Sequence, residues 1–395
     1  ADAAGGVAAT GTIVVAGPAT AAGTIALYLG AVRITVGVNS GDASTAIATN
    51  IAAAINANAD LPVTAAASTS TVTITFRHKG LVGNSYDVRY NYRDGDALPA
   101  GVGLTITALA GGTLNPTLTN LIAAMGDLWF QIWAHPYTDS ASLAAIEAEM
   151  ADRFGPLRSM DGVAFTSAVG TLSALATLGT GRNSAQSSIV AQAGAAPLTP
   201  PMEFAAETAA LVAYYGAADP ARPFQTLAYT NALPTAATDQ WSVLERNMLL
   251  FDGIATSRTE TGVVQIDRLI TTYQKSPTGA ADPAYLDVTT LLTLAYLRYS
   301  FRVRFRNKYP RHKLADDGTA FGSGQAVITP KLGKAEAVTW FREMEELGLV
   351  ENFDAFKSAL LVERNLQDPN RLDFLLPPNL INQLVVTAAQ IQFRL

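Results

Sequence analysis

Apolar and polar positions alternate with a period of two along several short stretches of the first 113 residues, the pattern of half-buried strands. TIALYLGAVRITVGV (Thr24–Val38) predicts two strands broken near Gly30, and TVTITF (Thr71–Phe76), DVRYNY (Asp87–Tyr92) and LTITAL (Leu104–Leu109) continue the alternation. Between them Ile47, Ile51 and Ile55 recur every fourth residue, which places them on one face of a helix from about Ala43 to Asn58. A β-rich unit with one helix is expected over residues 1–113, closing at AGGTLNP.

From Leu114 the pattern changes to strands alternating with helices. LWFQIWA (Leu128–Ala134) predicts a buried strand. Asp139 or Ser140 then caps a helix whose stripe is Leu143, Ile146, Met150 and Phe154, and Gly155 and Pro156 close it. GVAFTS predicts a strand, AVGTLSALATLG a short helix, SSIVAQAG a strand and PPMEFAAETAALVAYYG another helix. This βαβα order argues for an α/β layer with a largely parallel sheet over residues 114–275.

The last part, residues 276–395, opens with a long helix, about Ala284 to Tyr309, with Leu294, Leu297, Phe301 and Phe305 as its apolar stripe and Pro310 as its stop. The glycines of DDGTAFGSGQ predict a loop, and AEAVTWFREMEELG a further helix ended by Gly348. Pro377 and Pro378 stiffen the approach to the final segment and predict a hinge for an arm over residues 377–395. In that arm Val385, Thr387, Ala389, Ile391, Phe393 and Leu395 fall on one side of an extended strand that starts at Leu384. Val386, Ala388, Gln390, Gln392 and Arg394 fall on the other. A strand edge with an apolar face at a terminus invites pairing with another chain.

Hydrophobic residues make up 49% of the chain and charged ones 15%, which suggests surface covered by other chains. The net charge of −6 and a pI near 5.2 argue against broad nucleic-acid binding. With no cysteine, thiol catalysis, Cys-type zinc sites and a disulfide framework are excluded. No apolar run reaches the roughly 18–20 residues that span a bilayer. ADAAGGVAAT lacks a signal-peptide pattern, and the missing initiator Met predicts that something upstream has been removed or left out.

Candidate chemistry is sparse. His78, His135 and His312 lie far apart, outside any metal-ligand spacing. GTGRNS (Gly179–Ser184) follows a helix, so it does not read as a phosphate cradle, and FGSGQ is not a nucleophile elbow. RDGDALPAG lacks the remaining ligands of a calcium loop and reads as a turn. In LRYSFRVRFRNKYPRHK (Leu297–Lys313), Arg298, Arg302 and Arg306 form a basic ridge on one helix face. Such a ridge suits phosphates or carboxylates, and the acidity of the whole chain favours Asp or Glu of this or a neighbouring subunit. Two other readings follow from single features: a hydrolase-like enzyme with a Ser, His135 and Asp139 as pieces of its site, and a nucleic-acid-binding module on the basic helix 297–313.

NMLLFDGIATSRTETGVVQIDRLITTYQ, YLDVTTLLTLAYLRYSFRVRFRNKYPRHKLADDGT and VERNLQDPNRLDFLLPPNLINQLVVTAAQIQFRL resemble the tail sheath proteins of contractile-tailed bacteriophages, most closely the Mu-like group. The likeness runs through most of residues 115–395. It implies an α+β multidomain chain: an α/β layered sheath core, a C-terminal α+β region ending in a donated β-strand, and an inserted, outward-facing β-rich domain ahead of them. It implies a structural subunit, not an enzyme, with no cofactor, that polymerises around a tail tube and contracts to drive the tube through the host envelope. The partners it implies are further copies of the chain, the tail tube protein, and baseplate and tail terminator proteins, without nucleic acid or membrane insertion. The place it implies is the virion, and the host cytoplasm during assembly. By the same resemblance, Leu384 to Leu395 pair with a neighbour's sheet, and Arg298, Arg302 and Arg306 contact neighbours or the tube. Family members carry an N-terminal arm that is not evident here, so a shortened N-terminus is expected.

Overall fold

A computed structural model of the chain describes residues 2–194 and 197–392. Two compact units emerge. One comprises the chain up to Val212 with Gln225–Leu286, the other Ala213–Phe224 with the chain from Asp287 onward. The fold is mixed α and β.

The first unit opens with β1 (Ala8–Ala16), β2 (Gly23–Leu29), β3 (Val32–Val38), α1 (Ser44–Ala57), β4 (Val63–Ser68), β5 (Thr71–Lys79), β6 (Val88–Tyr90) and β7 (Gly103–Ala110). They form two antiparallel sheets, ordered β4-β5-β1-β7 and β3-β2-β6. Ile47, Ile51 and Ile55 of α1 bury against Ile13, Ile25, Leu27, Val72 and Ile74, so the four-residue spacing became the core face of that helix. At Gly11 of β1 there is no room for a side chain against β7; a Cβ there would lie 2.7 Å from the carbonyl of Thr107.

The same unit continues with α2 (Thr119–Met125), β8 (Ile132–Ala134), α3 (Ser140–Phe154), β9 (Val163–Ala168), α4 (Leu172–Thr180), β10 (Ser187–Ala191), α5 (Pro201–Ala218, of which the residues from Ala213 on belong to the second unit), α6 (Val243–Phe251), β11 (Ala255–Glu260) and β12 (Val263–Arg268). Strands β8 to β11 are parallel neighbours in chain order, and β12 turns back antiparallel on β11. Every residue of β9 and β10 is buried, as expected for strands covered on both faces. The strand expected over Leu128–Ala134 shrinks to its last three residues. Buried Arg153 donates to the carbonyls of Gly126 and Leu128, both at 2.7 Å, and this holds the chain ahead of β8 as a loop. Leu128 and Phe130 consequently face solvent.

The second unit contains α7 (Val288–Lys308), β13 (Lys313–Leu314), β14 (Val327–Ile328), α8 (Pro330–Glu346), β15 (Val350–Glu351), α9 (Phe353–Ala359), β16 (Leu361–Arg364), β17 (Leu372–Leu375) and β18 (Asn379–Leu380). Trp340, Phe341 and Met344 of α8 bury against Leu297 of α7 and Phe356 of α9. Phe374 of the antiparallel β16–β17 ladder packs edge-on to Phe301 and Phe305, with ring centroids 5.2 and 4.8 Å away. Antiparallel β15–β18 is the last pairing the chain makes with itself among the described residues.

Candidate assembly surfaces

Pro377 and Pro378 join β17 to β18, so the chain does not leave the body at the prolines. It pairs once more, through β18 and the Ile381 amide on the carbonyl of Leu349 (3.2 Å). The amide of Gln383 donates to the Thr289 hydroxyl at the start of α7. Beyond that contact Val385 is half-buried, while Thr387, Ala389 and Ile391 are exposed, Ile391 to 92%. Residues 386–392 lie in no helix or strand, and Leu384 shows 72% of its surface to solvent. Phe393 and Leu395 lie outside the described residues.

Arg298, Arg302 and Arg306 all lie on α7, four residues apart and thus on one face; the first two are half-buried and Arg306 is exposed. A fourth arginine of the helix, Arg304, joins α7 to α8. It reaches Glu336 and Glu343 of α8, while Lys308 Nζ and the Tyr309 hydroxyl donate to Glu336 Oε2 at 2.6 and 2.9 Å. Burial pushes the Glu336 carboxyl up, but the hydrogen bonds from Lys308, Arg304 and Tyr309 outweigh it and hold the pKa below the ordinary glutamate range. No local sequence pattern marks Arg304, because only the fold brings two glutamates of α8 to it.

The elements of a hydrolase do not converge. Asp139 caps α3, accepting from the Ser142 amide at 3.0 Å and from Asn115 at 2.6 Å. Both ring nitrogens of His135 lack a hydrogen-bond partner among the described residues, and the ring stacks on Tyr137 instead. No relay to a serine exists there. GTGRNS is explained by packing: a Cβ on Gly179 would fall 2.1 Å from the carbonyl of Asp252, where α4 meets the turn before β11. RDGDALPAG is a turn held by Asp96, which accepts from the Arg93 amide and pairs with Arg33 at 2.9 Å. Among the described residues no cluster of possible metal ligands occurs, and no helix is long and apolar enough to cross a membrane.

Exposed apolar side chains, Leu384 and Ile391 among them, stand out instead. Comparison with known proteins gives the family. Residues 111–272 match the phage tail sheath protein central domain, and residues 280–394 the phage tail sheath C-terminal domain. The Mu-like prophage FluMu tail sheath protein of Haemophilus influenzae is 40% identical over 393 residues, covering 99% of this chain and 80% of that protein. The chain belongs to the phage tail sheath family, whose members are structural proteins and not enzymes. Among solved structures, a sheath tail protein from Desulfitobacterium hafniense aligns over 95% of this chain and 82% of its own, at 14% identity and a TM-score of 0.46. One from Listeria innocua aligns over 92% and 76%, at 12% identity and the same TM-score of 0.46.

Proposed function

We propose that the chain is the repeating subunit of a contractile phage tail sheath, which polymerises around the tail tube and shortens to drive the tube through the host envelope. The observation that carries this reading is the 40% identity over 393 residues to a tail sheath protein. Within it, residues 114–275 act as the sheath core, residues 276–395 as the C-terminal sheath domain and residues 1–113 as an outward-facing insertion. Its other partners are the tube, the baseplate and the tail terminator, and assembly takes place in the host cytoplasm.

The arm from Leu384 onward is the tie between subunits. A segment with alternating apolar residues, of which the described residues 386–392 lie in no strand, gains backbone hydrogen bonds by joining another sheet, with Val385, Ile391 and Phe393 filling that neighbour's surface. The β16–β17 ladder suits the role of acceptor: two strands alone are marginal, its outer edges are open among the described residues, and Leu361 and Leu375 stand exposed opposite each other. Arg298, Arg302 and Arg306 contribute contacts to neighbours or tube. Negative-stain electron microscopy of the chain mixed with purified tail tubes tests the function, with sheathed tubes expected and bare tubes overturning it. Deleting residues 385–395 should leave a folded monomer that no longer assembles; tubes formed by the deleted chain would exclude strand donation.

A further inference from the structure

One face of the five-stranded sheet carries a row of helices. Ile122 of α2 and Leu118, its N-cap, pack with Ile146 and Met150 of α3, and Leu143 of α3, Leu175 of α4 and Leu249 of α6 share the next cluster. The row therefore runs α2–α3–α4–α6, from the β8 edge toward β11. Both ends of the row turn apolar side chains outward. On α6, Leu244, Met248 and Phe251 recur at i, i+4 and i+7 with Val243 beside them, and Leu244 and Phe251 keep 77% and 78% of their surface in solvent. At the other end Leu121, Leu128 and Phe130 are 55%, 59% and 51% exposed.

These side chains are held, not loose. Arg153 and Arg158 both grip the carbonyl of Gly126, fixing the loop that displays Leu128 and Phe130. A capping box between Ser242 and Glu245, and an Arg246–Asp267 pair at 2.9 Å, fix α6. Beside Leu121 a cavity of about 250 Å³ opens between α2, β8 and α3, lined by Leu118, Ile122, Ile132 and Trp133. An apolar cavity at one end and a protruding phenylalanine at the other are the two halves of an anchor and its pocket.

We propose that the α2 end of one copy of this chain seats on the α6 face of the next copy, with Phe251 entering the cavity. The proposal rests on the reading of the chain as a self-assembling sheath subunit. Two different patches at opposite ends of one row make a head-to-tail contact, which propagates into rings or helical strands, as a self-complementary patch does not. Each patch exposes on the order of a few hundred Å² of apolar surface, the upper range for a monomer. That is less than the roughly 800 Å² per partner of a stable pair. The contact is thus too small to make a dimer in dilute solution and adds to others in a lattice.

The chain has no cysteine, so introduced pairs report the contact without background. Leu121→Cys and Met248→Cys in one chain, oxidised by copper phenanthroline at high protein concentration, should yield a ladder of dimers, trimers and larger species. Either cysteine alone should leave monomer, and adding Phe251→Glu should cut the ladder at least about tenfold, with thermal melts showing all variants folded. Absence of the ladder overturns the contact, as does a ladder indifferent to Phe251→Glu. A dimer formed equally well by Met248→Cys alone overturns the head-to-tail arrangement. Microscopy with tail tubes separates the two readings: sheathed tubes without a ladder remove only this contact, whereas a ladder from a chain that never coats tubes removes the sheath function and keeps the contact.

Discussion

His135 shows what burial of an imidazole does to stability. Burial holds its pKa down to about 4 from the ordinary 6.5, and the backbone at Tyr137 and the charge of Asp139 offset this only in part. The imidazole is therefore neutral in the folded chain at neutral pH. The unfolded chain takes up the proton below about 6.5, so between 6.5 and 4 it binds more protons than the folded one, and stability falls as pH drops through that window. His135→Phe removes the term. Between pH 7 and pH 5 the variant should gain about 2 kcal/mol on the parent, read from urea melts at the two values. Parallel losses in both proteins would show that the ring is solvated when folded.

At the scale of elements, Glu336 joins α7 to α8. Its side chain is 6% exposed and accepts from three groups, so Glu336→Gln leaves Arg304 and Lys308 facing a neutral amide and should cost about 2 kcal/mol. Glu343→Gln, at a half-exposed position, should cost under about 1 kcal/mol. Because the folded pKa of Glu336 is depressed, its contribution is present above the ordinary glutamate range and is lost as pH falls through the folded value. Acid should therefore weaken the parent more than Glu336→Gln, and equal acid sensitivity would remove the carboxylate from this role. These elements also divide what was legible in the sequence from what was not. Helices α1 and α3 and strands β2, β3, β5, β9 and β10 fall where periodicity puts them, because local pattern and burial agree. Strand β1 alternates just as well, yet its Ala and Gly positions mute the signal. The start of α8 lies at Thr329 and Pro330, a cap and first-turn proline that precede its apolar stripe. Outward-facing Leu244 and Phe251 read as core residues in any count of apolar positions. Only the packing of Leu249 inward reveals which face of α6 lacks a cover. The ion cluster of Arg304 is non-local and has no sequence signature at all.

At the scale of the whole molecule, the arm separates a subunit in solution from one in a sheath. Up to Val385 the chain is tied down: β18 pairs with β15, the Ile381 amide bonds to Leu349, and the Val385 amide bonds to the carbonyl of Gln383 at 3.1 Å. From residue 386 to 392 no strand or helix holds the backbone, and a protease needs just such an extended, accessible stretch. Thermolysin, which cuts ahead of large apolar residues, should trim monomer first at Val386 and Ile391, well before any cut within α7 or α8. If the arm lies in a neighbour's sheet, its backbone amides are paired and Ile391 is covered, so the same sites in assembled tubes should resist for at least about ten times longer. The arm's sequence is identical in both samples, which makes the comparison a readout of pairing and not of cleavage preference. Equal trimming in tubes and monomer, with the tubes surviving it, would mean that subunits are held by their bodies alone. The ends of the α2–α3–α4–α6 row would then carry the lattice, and Phe251→Glu should dissolve tubes that loss of the arm leaves standing.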